Sequence, residues 1–279
     1  MKTKIEWADY TWNPVWGCLA GCRYCYAKNI AKRFAATIAE KNAIFDWETG
    51  EDYATPNGRH VEKNQQEIEQ NLKEFKPTFL GNNFESLTLK LYTKKGKPKK
   101  TIKRIFVGSM SDIAFWRHEW LQKVADEIKK HPNHTFLLLT KFPKIYKKLE
   151  VMMPDNVWFG VSVTQNAELK KIHDLYLSSG TKRKRFVSFE PLLERIDYFN
   201  MHTLHWIIIG TMSGQKRTPA KIEWIEDLVK RAKQYYIPVF VKQIEMDGKI
   251  IKDIEQFPEE LQHREFPKPE FINHLKQKK

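Results

Sequence analysis

The chain has 279 residues, 41% of them hydrophobic, enough for one large domain or for a domain carrying an insertion. No apolar run approaches the roughly 20 residues needed to cross a bilayer, and the opening Met1-Lys2-Thr3-Lys4 lacks the apolar stretch of a secretion signal, so a soluble, cytoplasmic protein is expected, with no membrane partner. Its 48 basic and 34 acidic side chains leave a net charge of +14; such a field favours polyanions, nucleic acid above all, although a general richness in lysine would read the same way.

In chain order, a short strand is expected at Trp12–Gly17 and a helix at Tyr26–Glu40. Longer apolar, β-branched or aromatic stretches follow at Lys103–Gly108, Thr135–Thr140, Val157–Val163, Arg185–Phe189, Trp206–Gly210 and Pro238–Val241. Helical patterns at Trp116–Lys130, Ala167–Ser178 and Ile222–Tyr235 fill most of the gaps. Alternating strands and helices imply an α/β fold with parallel strands and right-handed crossovers, in either an open doubly wound sheet or a barrel. The strand ends favour the barrel. Ser109 and Asp112, Thr140-Lys141, Ser162 and Thr164, Ser188 and Glu190, Thr211 and Ser213, then Lys242-Gln243 place polar groups at successive C-terminal ends, where α/β barrels keep their chemistry. Loops are polar in any case, which is the plainer explanation. Within Arg185–Glu190, Phe186, Ser188 and Glu190 share a face; within Val157–Thr164, Trp158, Gly160, Ser162 and Thr164 do.

Residues 41–100 break the rhythm, with a turn-rich piece at Asp46–Tyr53 and a polar helical stretch near Lys63–Phe75. The expected layout is a barrel from 1–40 and 101–243, an insertion over its mouth at 41–100, and an extension at 244–279. That extension opens with a hairpin signal at Met246-Asp247-Gly248-Lys249. Basic runs suited to phosphate contact include Lys94, Lys95, Lys99 and Lys100, with Lys141 and Lys242 at strand ends; solvated lysine faces are the bland reading. Trp47 or Trp116 could serve as a stacking platform for a base.

The chain's three cysteines all lie within one short stretch, as Cys18-Leu19-Ala20-Gly21-Cys22-Arg23-Tyr24-Cys25. An odd, clustered set argues against a disulfide framework and for a metal. Structural zinc wants four ligands; no fourth cysteine exists, and the nearest downstream histidine is His60. A redox pair from Cys22 and Cys25 leaves Cys18 without a role. An iron–sulfur cube held by three cysteines keeps one iron free for an external ligand, where four would close it.

The C-x3-C-x-aromatic-C pattern after a first strand resembles the signature of the radical S-adenosylmethionine (SAM) superfamily. The string Ile5-Glu6-Trp7 with Thr11-Trp12-Asn13-Pro14, Ser109-Met110-Ser111-Asp112, Ser188-Phe189-Glu190-Pro191-Leu192 and Lys242-Gln243 is similar to a narrower group. These are the three-cysteine-motif proteins of phages and mobile elements, distant relatives of spore photoproduct lyase. The resemblance implies a partial (β/α)6-type TIM barrel, with the inserted segment between the first helix and second strand. It also implies a 4Fe-4S cluster on Cys18, Cys22 and Cys25, and SAM bound to the open iron and cleaved to a 5′-deoxyadenosyl radical. By the same resemblance Tyr24 lies near the adenine, and Ser109 and Asp112 stand in the place of a Gly-Gly-Glu motif that is not literally present. Ser162 and Ser188 then fall where ribose or carboxylate contacts lie, Gly210 approaches the adenine, and Glu190 serves ribose or substrate. For Glu190 a buried pairing with Lys242 is the competing reading. The implied function is a lyase or transferase on a nucleic-acid base or nucleotide, in repair or modification, working as a monomer with a flavodoxin- or ferredoxin-like electron donor. Two rivals stay open: a non-catalytic nucleic-acid-binding protein with zinc or a structural cluster, and a cluster-bearing redox sensor without a SAM pocket.

Overall fold

A computed structural model describes residues 3, 5–43, 59–92, 103–214 and 217–267. The expected lysines Lys94, Lys95, Lys99 and Lys100, and Trp47, lie outside the described residues. The class is α/β with mostly parallel strands, and the chain divides into two compact units. No described helix is long and apolar enough to cross a membrane.

The first unit takes residues 1–139 and 152–156. The single strand expected at its start is two: β1 (Tyr10–Trp12) and β2 (Val15–Trp16). Pro14 stands in the gap and has no N–H to give a ladder. Next come α1 (Tyr26–Asn42), α2 (Arg59–Glu74), β3 (Thr78–Phe79), α3 (Gly81–Leu91), β4 (Arg104–Val107), α4 (His118–Lys129) and β5 (Thr135–Thr140). Strands β1, β4 and β5 run parallel, in that order, and β2 pairs antiparallel with β3. On α1, Ala27, Ala31, Ala35 and Ala39 recur every fourth residue and are all buried. Small side chains along one seam let a neighbouring helix approach closely, so Ile68 and Leu72 of α2 pack with Leu80 against Ala35 and Ala39.

Helix α3 has no counterpart in the sequence reading. It is tied in by Leu87 and Leu91, both essentially inaccessible to solvent, and by the hydrogen bond from the Trp12 indole nitrogen to the Phe84 carbonyl oxygen, 2.9 Å. Residues 59–92 therefore help build this unit's core. Trp116 precedes α4 and is only 6% exposed, packed beside Gly108, so it offers no free face for a base.

The second unit takes residues 140–151 and 157–279. After a short helical turn, α5 (Tyr146–Leu149), come β6 (Val157–Ser162), α6 (Lys170–Ser178), β7 (Lys184–Phe189), β8 (Trp206–Gly210), α7 (Ile222–Gln234), β9 (Val239–Met246) and β10 (Lys249–Ile251). Strands β6 to β9 are parallel in sequence order, and β10 closes the expected hairpin antiparallel to β9. The α6 pattern begins late because Asn166–Glu168 forms a 3-10 turn whose Glu168 carboxylate reaches back to the Thr164 amide at 2.8 Å. Gly160 pairs in register with Phe186; a Cβ there would sit 2.2 Å from the Phe186 ring, so the glycine makes room for the aromatic side chain.

His205 sits at the start of β8 with its Nδ1 accepting from the Arg185 amide at 3.1 Å. Burial, and then the Arg185 guanidinium, push its pKa down from 6.5 to about 4. The unfolded chain takes up this proton as pH falls below 6.5, while the folded chain resists until about 4. The stabilisation is therefore complete above pH 6.5 and is lost progressively towards pH 4, amounting to about 3 kcal/mol. Urea denaturation across that window is expected to show the loss, and His205→Asn, which keeps an acceptor for Arg185, to flatten it. Equal slopes for the two proteins would contradict the assignment.

Candidate functional site

The cysteine loop of the first unit is held by its backbone. The Gly17 amide donates to the Met110 carbonyl at 3.2 Å, and the Cys18 amide to the Phe75 carbonyl at 2.9 Å. Phe75 ends α2 with a positive φ of 60°, a conformation non-glycine residues seldom adopt and then at a cost of about 1–3 kcal/mol. Here it turns the Phe75 carbonyl towards Cys18 while its ring packs with Ala27, Ala31 and Met110, against which Cys18 and Cys25 also lie. Cys25 is the N-cap position of α1, and its amide bonds the Cys22 carbonyl at 3.2 Å.

The Gly108–Asp112 turn, which leaves the C-terminal end of β4, sits on this loop. The Ser111 hydroxyl donates to the Gly17 carbonyl and accepts from the Trp116 indole at 2.9 Å. The Tyr26 hydroxyl donates to the Ser109 carbonyl at 2.6 Å, and the Ser109 hydroxyl to the Asn13 amide oxygen at 3.0 Å. Asp112 is buried and accepts from the Ala114 amide at 3.0 Å.

None of the three cysteines is in a disulfide, and each is partly exposed. The Ala20 amide donates to the Cys18 sulfur at 3.4 Å. Burial pushes the Cys18 thiol up to about 11, with the nearby Asp112 and Cys22 charges adding to the effect; a cation or cationic cluster at the sulfur would reverse that preference. Among the described residues no three His, Cys, Asp or Glu side chains converge on a single metal ion. The Trp16 indole N–H, which can only donate, is buried with no partner among the described residues, and its side chain packs against the same Ala27, Ala31, Phe75 and Met110 cluster as those of Cys18 and Cys25. Three cysteines on one pinned loop, with a buried donor in the same neighbourhood, have the donor chemistry that a sulfur-rich group requires, since hydrogen bonds to sulfur tune such clusters.

In the second unit the expected polar residues gather at strand ends. Ser162 and Ser188 are buried and paired in register across β6 and β7. Glu190 follows β7 and forms an ion pair with Lys242 of β9, and Gly210, at the end of β8, lies between them: a Cβ there would be 3.5 Å from the Glu190 side chain and 3.6 Å from that of Lys242. Gln243 donates to the Thr211 carbonyl at 2.8 Å, and the Thr211 hydroxyl accepts from the Ala220 amide at 3.1 Å. The competing expectation for Glu190, a pairing with Lys242, is thus present. With both side chains mostly buried, at 21% and 17% exposed, removing one partner strands the other. A double-mutant cycle of Glu190→Gln and Lys242→Met is expected to give a coupling of about 1–3 kcal/mol in urea denaturation; additivity would refute it.

A family model described as "Protein of unknown function (DUF5131)" matches residues 2–266. The chain belongs to that family. No curated protein matches the sequence. Several solved structures of spore photoproduct lyase are similar to this DUF5131 chain. A Tyr-to-Phe mutant is 12% identical with a TM-score of 0.44, covering 99% of this chain and 75% of that one. A Cys-to-Ala mutant is 12% identical with a TM-score of 0.44, covering 76% and 58%. A double mutant with bound AdoMet and dinucleoside spore photoproduct is 12% identical with a TM-score of 0.40, covering 92% and 72%. The DUF5131 chain thus spans little more than half the length of the Cys-to-Ala mutant.

Of the residues singled out from sequence, the first unit brings Cys18, Cys22, Cys25, Ser109 and Asp112 into one neighbourhood. Tyr24 is half-buried within the cysteine loop. The second unit brings together Glu190, Gly210 and Lys242. Phe75, Met110, Gly17 and Tyr26 were not singled out as site residues for the DUF5131 chain, although they anchor the loop. A glycine directly before the first cysteine and an aromatic directly after the last were the available signals for two of them; nothing local marks Phe75 or Met110.

Proposed function

We propose that the chain is a radical SAM enzyme acting on a nucleic-acid base or nucleotide. The observation that carries the reading is the arrangement of three cysteines outside any disulfide, spaced C-x3-C-x2-C, on a loop whose backbone is pinned by Phe75 and Met110 and which opens directly into α1. In this reading Cys18, Cys22 and Cys25 would hold a 4Fe-4S cluster. Such a cluster would supply the electron for reductive cleavage of a SAM carbon–sulfur bond.

The protein's own share is placement. Phe75 and Met110 keep Cys18 from drifting, and the Ser111 hydroxyl ties the β4 turn to the loop, holding Ser109 and Asp112 alongside as contacts for the amino group of SAM. Tyr24 borders the adenine in this reading. In the second unit, Ser162, Ser188, Gly210 and Glu190 stand at strand ends, with Lys242 fixing the Glu190 carboxylate. The partial (β/α)6 barrel belongs to the same reading, as do the nucleic-acid partner, favoured by the +14 charge, and a small flavodoxin- or ferredoxin-like electron donor.

The test is anaerobic reconstitution with iron and sulfide, then reduction in the presence of SAM. Production of 5′-deoxyadenosine is the expected result. Tight stoichiometric zinc with no 5′-deoxyadenosine would overturn the reading in favour of a binding protein.

A further inference from the structure

The segment that follows β5 has a two-sided character that neither the core nor the cysteine loop explains. Residues 143–149 form a 3-10 turn running into α5. One side is locked into the second unit. Tyr146 and Leu149 are inaccessible to solvent; the Tyr146 ring stacks on Phe159 at 4.2 Å and 11°, and its hydroxyl donates to the Gly160 carbonyl at 2.7 Å. The other side carries Lys144, Lys147 and Lys148, all exposed. Their i, i+3, i+4 spacing puts the three on one helical face.

No acidic residue occurs from 141 to 149. Elsewhere on the surface lysines are commonly matched, as Lys171 is with Glu168, Lys129 with Asp126 and Lys73 with Glu69. At the head of this face stands Phe142. The residue is 43% exposed, while its backbone is fixed by an amide donating to the Thr140 hydroxyl at 3.0 Å and by Pro143 directly after it. A backbone-anchored, partly exposed aromatic just ahead of three lysines that form no ion pair among the described residues is the combination that binds single-stranded nucleic acid: the lysines follow the phosphates and the ring stacks on a base.

We infer that Phe142, Lys144, Lys147 and Lys148 form a contact strip for a single-stranded or locally unpaired nucleic-acid segment. The inference rests on the proposed nucleic-acid partner and makes it specific, since a stacked base must be out of its duplex. The rigid side of the segment matters as much as the charge. With Tyr146 and Leu149 buried, the lysine face is presented without the ordering cost a flexible loop would carry.

Fluorescence anisotropy with a short labelled oligonucleotide, as single-stranded DNA, single-stranded RNA and duplex, at several salt concentrations, tests it on the full chain. The triple variant Lys144→Ala/Lys147→Ala/Lys148→Ala is expected to reduce the slope of log K against log salt by about 2 on single strands. Phe142→Ala is expected to weaken single-strand binding about tenfold with the slope unchanged. A control with equal charge loss elsewhere, Lys230→Ala/Lys233→Ala/Lys249→Ala, is expected to keep the wild-type slope. Equal slopes for the strip variant and wild type, or equal losses in the strip and control variants, would overturn the strip while leaving the nucleic-acid partner standing. Failure of the wild type to bind any of the three probes would remove both. Production of 5′-deoxyadenosine without oligonucleotide is a separate readout that none of these variants is expected to change.

Discussion

Cys22→Ala is expected to abolish cluster binding: iron and sulfide fall to background after reconstitution, and 5′-deoxyadenosine falls at least about 100-fold, the scale of losing a group on which the reacting centre depends. Cys22 is the most informative of the three positions. Cys18 and Cys25 also pack against Ala27, Ala31, Phe75 and Met110, so truncating either removes core contacts together with a sulfur. Cys22 has no place in that cluster. Its replacement is therefore expected to disturb the stability of the apo protein less than truncating Cys18 or Cys25 does. Metal analysis, visible absorption and product detection check the first part, and urea denaturation the second. A variant that retained full iron and still formed 5′-deoxyadenosine would show that the loop does not hold the catalytic group.

The second large effect is expected at Gly17. Its φ is 90°, and an added Cβ would lie 1.9 Å from the Lys76 carbonyl oxygen and 2.4 Å from the carbonyl carbon. Those atoms are backbone, so no side chain can rotate aside to relieve the overlap. Gly17→Ala must move either the cysteine loop or the end of α2, breaking the hydrogen bonds from the Gly17 and Cys18 amides to the Met110 and Phe75 carbonyls. A loss of about 3 kcal/mol or more is expected, combining left-handed backbone strain with overpacking, and iron uptake should fail with it. Gly108→Ala provides the scale. That glycine also has a positive φ, 82°, but its nearest obstacle is the edge of the Trp116 ring at 3.1 Å, which can shift, so a loss of about 1–2 kcal/mol is expected there. A melting temperature for Gly17→Ala within about 2 °C of wild type would refute the contact.

The strands from β4 to β9 were legible because each carries a dense apolar, β-branched run, and such runs are buried wherever the chain places them: every residue of β6 and β8 is buried. Helices α1, α4 and α7 were legible from their one-sided periodicity, and the hairpin into β10 from Asp247-Gly248, both of which adopt positive φ. Helix α3 was not. Its Gly81-Asn82-Asn83 opening reads as a turn, and its burial depends on partners such as Trp12, 72 positions away from Phe84. The break between β1 and β2 was signalled by Pro14, yet the partner that makes β2 a strand is β3, more than sixty residues on.

Composition and spacing alone determined that three sulfurs would share one loop, because neighbours in the chain cannot be far apart in space, and that parallel strands would alternate with helices, because hydrophobic periodicity is local. Only the tertiary structure decided what grips that loop. The Phe75 carbonyl meets Cys18 and the Met110 carbonyl meets Gly17 through contacts between distant stretches of chain. Such contacts are selected by the packing of the whole unit, where burial and the need to satisfy each polar group act together, and no window of sequence carries that information.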